Sequence, residues 1–186
     1  MIQSVKFDSS NMDIKKLANT VTTFIIKRLI ETTGIAVSFL GLLLLIALIS
    51  YSPSDPNFIF PDNTNIKNII GFRGSYLSDL FFQSIGLISY LVPITFIFTG
   101  ISIFKKKELF LIIQNTFYIT LYSLTGSLFF NYFYTNSFTL YINGNGGFIG
   151  SYLSETFLNN SINSYENITF YFFIILTIFL FLISIN

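Results

Sequence analysis

Four stretches of this chain, at about 32–51, 80–104, 109–134 and 168–185, are apolar at nearly every position, and the polar residues collect between them. About 20 mostly apolar residues cross roughly 30 Å of hydrocarbon as a helix. The pattern therefore predicts four transmembrane helices. Charged side chains keep to the same boundaries: none falls between Asp79 and Lys105, between Glu108 and Glu155, or after Glu166. Four helices of a soluble core are excluded, because helices apolar on nearly every face leave no polar surface to meet water. The first stretch does not read as a cleaved secretory signal. It starts far into the chain, outlasts a signal core, and is followed by Ser52-Pro53-Ser54-Asp55-Pro56 where a small-x-small cleavage site would stand. It reads as an uncleaved anchor.

The polar intervals contain a repeat. Gly71-Phe72-Arg73-Gly74-Ser75-Tyr76-Leu77-Ser78-Asp79 and Gly147-Phe148-Ile149-Gly150-Ser151-Tyr152-Leu153-Ser154-Glu155 agree at seven of nine positions and both end in an acid. Each stands between two apolar stretches, so the chain reads as built twice. Helical spacing gives each copy a face of small residues: Gly71, Gly74, Ser75 and Ser78 in the first, Gly147, Gly150, Ser151 and Ser154 in the second. The opposing face is Phe72, Tyr76 and Leu80, or Phe148 and Tyr152. Small faces let backbones approach closely, and aromatic residues suit the boundary of lipid and water. Each copy is expected to form a short interfacial helix, or a helix start, that braces its hairpin in preference to docking an external partner. The segment Ser50-Tyr51-Ser52-Pro53-Ser54-Asp55-Pro56-Asn57-Phe58 reads as a helix exit. Its prolines stop the helix, and its serine and aspartate side chains bond nearby backbone amides.

Charge orients these elements, because Lys and Arg near span ends stay on the cytoplasmic side. Of the ten basic residues, Lys6, Lys15, Lys16, Lys27 and Arg28 precede the first span, and Lys105, Lys106 and Lys107 fill the link between the second and third. Only Lys67 and Arg73 lie in the connection 52–79, and none lies in 135–167. Both termini are therefore expected in the cytoplasm and both copies of the repeat outside. The expected fold is an all-α membrane protein. Its four transmembrane helices form two hairpins of parallel topology, with short interfacial helices on the outer face. Residues 1–30 are a cytoplasmic basic tail and 31–186 the four-span membrane domain. The tail is expected to hold topology and meet anionic headgroups of the bilayer rather than to bind DNA.

Composition then narrows the chemistry. Mean hydropathy is +0.67 and only 10% of residues are charged, against about 25% in soluble domains. With no His and no Cys, no Ser-His or Cys-His nucleophile pair and no ordinary zinc or haem site can form. The apolar stretches carry no paired carboxylates, the default functional signal inside a membrane. No Gly-x-x-x-x-Gly-Lys-[Ser/Thr] run occurs that would cradle nucleotide phosphates. No catalytic, metal or cofactor site is expected in these residues. Gln83, Gln114, Asn115 and Asn131, inside the stretches, are expected to hydrogen-bond between helices.

The residues around the first external connection carry a resemblance. Ser50, Tyr51, Ser52, Asp55, Pro56 and Phe58, followed by Asn68, Gly71, Gly74, Ser78, Asp79, Leu80 and Phe81, resemble the N-terminal four-helix membrane domain of the FtsK/SpoIIIE family of bacterial DNA translocases. The Gly147-x-x-Gly150-x-x-Leu153-Ser154 run fits as well. The resemblance implies an anchor in the bacterial inner membrane at the division septum, acting in cell division and chromosome partition. A linker would join it to a hexameric ATP-driven motor. That motor, with its ATP and Mg, is absent from these residues, so they are not expected to be an enzyme and would meet DNA only through it. The implied partners are the bilayer, further copies of the chain and division-septum proteins. Candidate structural or interaction residues are Asp55, Pro56, Gly71, Gly74, Ser78, Asp79, Gly147, Gly150, Ser154 and Glu155. Lys27, Arg28, Lys105, Lys106 and Lys107 would set topology. The alternative class is a small polytopic transporter or channel subunit. Parallel rather than inverted repeats remove one common argument for it.

Overall fold

The computed structural model describes residues 2–57, 65–134, 143–155, 162 and 164–186, with side chains from residue 14 onward. The described elements are helical: α1 (Ile2–Ile49), α2 (Phe72–Ile85), a 3-10 turn (Gly86–Tyr90), α3 (Leu91–Lys106), α4 (Phe110–Phe133), α5 (Gly147–Ser154) and α6 (Glu166–Ser184). Three stretches, Ile14–Ile49, Phe72–Lys106 and Glu166–Ser184, are long and apolar enough to cross a membrane. Helix α4 has the length, at 24 residues, but Gln114, Asn115 and Asn131 dilute its apolar character and it falls outside that set. The fold is that of an all-α membrane protein.

Helix α1 is longer than the apolar stretch that announces it. Neither Gly nor Pro interrupts the sequence before Gly34. Thr20, Thr23, Thr32 and Thr33 turn their hydroxyls onto the carbonyls four residues back, at 2.9, 2.7, 2.9 and 2.9 Å, instead of competing with the helix. From Ile2 onward, the basic tail is thus the first part of a 48-residue helix, about 72 Å long at 1.5 Å per residue.

Along its second half, α1 runs antiparallel to α3 on a seam of small residues. A Cβ on Gly34 would stand 2.7 Å from the Gly100 carbonyl oxygen, and one on Gly100 would stand 2.2 Å from Ser38 Oγ. Ser38 Oγ donates to the Ile97 carbonyl at 2.9 Å. Lipid is as apolar as leucine, so close van der Waals contact and such hydrogen bonds hold membrane helices together. At one end of the pair Glu31 bridges Arg28 and Lys107, each at 2.6 Å. Lys106 Nζ donates to the Asn186 carbonyl at 3.2 Å. Both basic clusters and Asn186 therefore share one end of the bundle.

The second half pairs α4 with α6. Thr177 Oγ1 donates to Thr125 Oγ1 at 3.0 Å, and Phe170 lies 5.2 and 5.0 Å from the rings of Phe129 and Phe133. The halves meet at Thr95, whose hydroxyl is 3.1 Å from Tyr122 Oη and 3.0 Å from Ser184 Oγ, all three buried. Asn115 Nδ2 also donates across the halves, to Thr99 Oγ1 at 2.8 Å. Asn115 is the interhelical partner the sequence promised. Gln114 is not: it is exposed, because one step along a 3.6-residue turn carries it off the seam.

The second apolar stretch is also not a single uninterrupted helix. Gly86, at φ +68°, ends α2, and α3 restarts with Pro93 in its first turn, where a missing N–H costs nothing. Backbone groups freed at membrane depth must find partners inside the protein. Ser89 Oγ reaches the Phe81 and Gly86 carbonyls at 2.9 and 2.6 Å, and Ser127 Oγ reaches that of Ile85 at 2.9 Å. The Leu87 amide donates to the Asn145 carbonyl at 2.9 Å.

Candidate functional site

The end of the bundle away from Lys105, Lys106 and Lys107 holds both copies of the repeat. Beyond Ile49 the chain turns at Ser52–Asp55, where the Asp55 amide donates to the Ser52 carbonyl at 3.1 Å. The buried Asp55 carboxylate then accepts the Lys67 and Asn68 amides at 2.9 and 2.8 Å, pinning the returning chain. Asn68 Nδ2 donates to the Ala47 carbonyl at 2.8 Å and reaches that of Ser50 at 3.4 Å. The last carbonyls of a helix have no partner of their own, so Asn68 closes the end of α1. Its Oδ1 accepts the Ile70 amide at 3.1 Å and lies where a Cβ on Gly74 would come within 2.3 Å. Ser75 Oγ donates to the Pro56 carbonyl at 2.7 Å, Ser78 Oγ to that of Ser75 at 3.0 Å, and Tyr51 Oη to the buried Asp79 carboxylate at 3.1 Å. The two sequence segments thus close into one buckle.

The second copy forms α5, which lies in the crook between the α2 break and α4. Gly147 has φ +64°, and a Cβ there would meet the amide nitrogens of Gly86 and Ile85 at 2.6 and 2.7 Å. One on Gly150 would meet the Ser127 carbonyl oxygen at 2.5 Å. Ser151 Oγ donates to Asn131 Oδ1 at 3.3 Å, and Tyr132 Oη to the Ser154 carbonyl at 3.1 Å. Asn143 donates twice to Gln83, through its backbone amide to Gln83 Oε1 at 3.2 Å and through Nδ2 to the Gln83 carbonyl at 3.1 Å. Buried Asn145 donates through Nδ2 to the Tyr134 carbonyl at the end of α4, as Asn68 does at the end of α1.

Both helices are inside-out. Helix α2 buries Gly74, Ser75, Ser78 and Asp79 while Phe72 and Leu80 are 51% and 52% exposed. Helix α5 buries Gly147 and Gly150 while Phe148 and Tyr152 are 59% and 63% exposed. A helix facing water turns its polar face outward. Here the outward faces are largely aromatic and aliphatic, with Arg73 exposed among them on α2, and Phe72 and Tyr76 paired at 6.3 Å and Phe148 and Tyr152 at 6.0 Å, which is the sense suited to the interface of lipid and water. The small residues Gly74, Ser75 and Ser78 of the first copy and Gly147 and Gly150 of the second are thus turned into the protein, while Gly71 has open space around its missing Cβ. Among the described residues no group of three acidic side chains could hold a metal ion.

The model of the family described as the 4TM region of DNA translocase FtsK/SpoIIIE matches residues 26–186. The chain belongs to this family. Relatives of the FtsK/SpoIIIE 4TM domain include a DNA translocase FtsK of Azospirillum brasilense, 36% identical over 73 residues that make up 38% of this chain and 12% of the relative. That of Rickettsia typhi is 40% identical over 55 residues, 30% of this chain and 7% of the relative. The protein of Pseudomonas putida is 34% identical over 82 residues, 44% of this chain and 10% of the relative. The chain thus matches about a tenth of the length of these translocases. No solved structure matches it. Family and apolar helices together make this a membrane protein of the bacterial inner membrane.

Within the FtsK/SpoIIIE 4TM domain, the buckle gathers Asp55, Pro56, Gly71, Gly74, Ser78 and Asp79, and the crook gathers Gly147, Gly150 and Ser154. Phe58 lies outside the described residues. Glu155 is not the counterpart of Asp79: it is exposed, whereas Asp79 is buried against Tyr51. Sequence reasoning missed Asn145, Ser127 and Gly86, which seat the second copy. It also missed the small seam Gly34, Ser38 and Gly41 of α1, whose spacing was visible in the first apolar stretch.

Proposed function

We propose that this chain is the membrane anchor of a bacterial DNA translocase that serves cell division and chromosome segregation. The observation that carries the reading is the family match across residues 26–186. The sites fit an anchor: Asp55 and Asp79 are spent on backbone and tyrosine donors within the buckle, Gly74 on close contact with Asn68, and Gly147 and Gly150 on contacts with the end of α2 and with α4. In this reading α4 is the fourth crossing, both termini are cytoplasmic and the buckle and crook face outward. The anchor acts at the septum as a homo-oligomer, docked on division proteins. These residues bind no cofactor and catalyse nothing. ATP, Mg and DNA belong to the motor segment of the translocase. The transporter or channel alternative has no support from family membership.

The test is a fluorescent protein fused after Asn186 and expressed in dividing bacteria. Membrane fluorescence concentrating at mid-cell is expected. A uniform membrane signal would overturn the septal assignment, and a soluble signal the anchor itself.

A further inference from the structure

Helices α1 and α4 do not pack on each other; both flank α3, and between them a groove opens sideways. Its cavity of about 130 Å³ is lined by Val37 and Leu40 of α1, Phe96 and Thr99 of α3, and Ile112, Asn115 and Thr116 of α4. Thr99 and Asn115 are bonded to each other at 2.8 Å, so these two polar side chains of the wall are engaged and, apart from Thr116 at its exposed edge, the surface offered is apolar. Apolar cavities of this size stay dry and take apolar guests. The flanking side chains Phe39, Ile113 and Phe117 are exposed and apolar, which places the opening at membrane depth.

The rim of the groove has a different character. Lys106 lies seven positions after Thr99 along α3, about 10 Å of helix at 1.5 Å per residue, and Glu108 lies seven positions before Asn115, just ahead of the start of α4. At that level stand Lys27, Arg28, Lys105, Lys106 and Lys107 against Glu31 and Glu108. Glu31 is occupied by Arg28 and Lys107, while Lys105 is exposed and makes no bond among the described residues. An excess of positive charge thus caps an apolar slot about one short acyl segment deep. We propose that this groove binds one anionic phospholipid of the leaflet on the basic side, its phosphate at the Lys105–Lys107 rim and one acyl chain between α1 and α4. Basic pockets between membrane helices recognise lipid headgroups in this way. The proposal rests on the membrane placement of the bundle and not on the septal role, so a failure of mid-cell localisation leaves it standing.

The chain has neither Trp nor Cys, so an introduced probe is unique. The full chain carrying Phe96→Trp is reconstituted into bilayers of phosphatidylethanolamine with increasing brominated phosphatidylglycerol, with Ile35→Trp on the outer side of α1 as control. Bromine quenches the groove tryptophan at a mole fraction at least five-fold lower than the control, and brominated phosphatidylethanolamine shows no such difference. Thr116→Phe, which fills the groove from an exposed position, removes the high-affinity phase. Lys105→Gln with Lys106→Gln, both at the surface, reduces the preference for the anionic lipid. Equal quenching at both tryptophans overturns the site, and equal quenching by both lipids overturns the headgroup assignment. Disulfide-linked dimers through Leu40→Cys at low protein-to-lipid ratio would mean that a second copy fills the groove, which also overturns the proposal.

Discussion

At the scale of single residues, Asp55 and Gly147 separate the roles of polar and glycine positions in the repeat. Asp55 satisfies two backbone amides in a buried turn, and an amide left without an acceptor costs about 1–3 kcal/mol. Asp55→Ala is therefore expected to destabilise the bundle by about 2–4 kcal/mol by that measure, and Asp55→Asn by less, since its amide oxygen still accepts. Thermal unfolding in detergent micelles measures both; equal, negligible shifts would show that water replaces the carboxylate. The two glycines that open the repeats also differ. Gly71 has φ +78° and ψ −156°, a backbone conformation essentially reserved for glycine, with open space around its missing Cβ, so Gly71→Ala carries only that backbone penalty, about 1–3 kcal/mol. Gly147 adds backbone atoms of Ile85 and Gly86 inside 3 Å. Gly147→Ala should cost distinctly more, and a ranking in the opposite order in the same unfolding assay would remove α5 from the crook. Identity of the repeated residues gave no hint of this asymmetry. It comes from Gly86, which the second copy contacts and the first does not.

Among elements, the four helical stretches were legible because a charged residue (Glu31, Asp79, Glu108 or Glu166) stands just before each of them, and Lys105 to Glu108 mark the α3–α4 link to within two residues. Interruptions inside a stretch were not legible. No charge marks the break at Gly86 and Ser89, and it is made tolerable by the hydroxyls of Ser89 and Ser127 and the carbonyl of Asn145, the last two from elsewhere in the chain. The continuous helix before residue 30 was not legible either: residues 1–30 read by their charge as a basic tail, and the Thr20 and Thr23 hydroxyls folded back on the helix show how its polar residues are accommodated. In the buckle, the motif residues were legible but their pairing was not, since Asp55 reaches residues 12 and 13 positions onward. The α1–α3 seam depends on a partner from another stretch as well. Gly34 and Ser38 reveal a face, and Gly100 shows what it meets. Gly100→Leu should force these helices apart, because even a Cβ there lies 2.2 Å from Ser38 Oγ. Overpacking costs typically 1–3 kcal/mol, about 2–4 °C of melting temperature per kcal/mol at this chain length. Gly100→Ala should cost less than leucine. No change with either would show that α1 does not rest on α3 in the membrane.

For the whole molecule the decisive question is which end faces out and how often the chain crosses. The structure groups Arg28, Glu31, Lys106, Lys107 and Asn186 at one end and the buckle and crook at the other. In the proposed orientation, with basic residues retained on the cytoplasmic side, Arg73 and Glu155 lie outside although they are separated by α3 and α4. This requires that α4, which falls outside the set of stretches apolar enough to span, crosses. Interhelical bonds from Asn115 to Thr99 and from Tyr122 to Thr95 favour the crossing, because they spend two polar side chains of α4 against α3, and Asn131 accepts from Ser151 of α5. Single cysteines at exposed positions test this in a chain that has none of its own: Arg73→Cys, Glu155→Cys and Lys105→Cys, probed with a membrane-impermeant maleimide on intact spheroplasts. The first two should label at once and the third only after permeabilisation. Labelling of Lys105→Cys alone would invert the orientation. Labelling of Arg73→Cys without Glu155→Cys would leave the two ends of the α3–α4 hairpin on opposite faces, and so remove α4 as a crossing even if α1 to α3 stand as described.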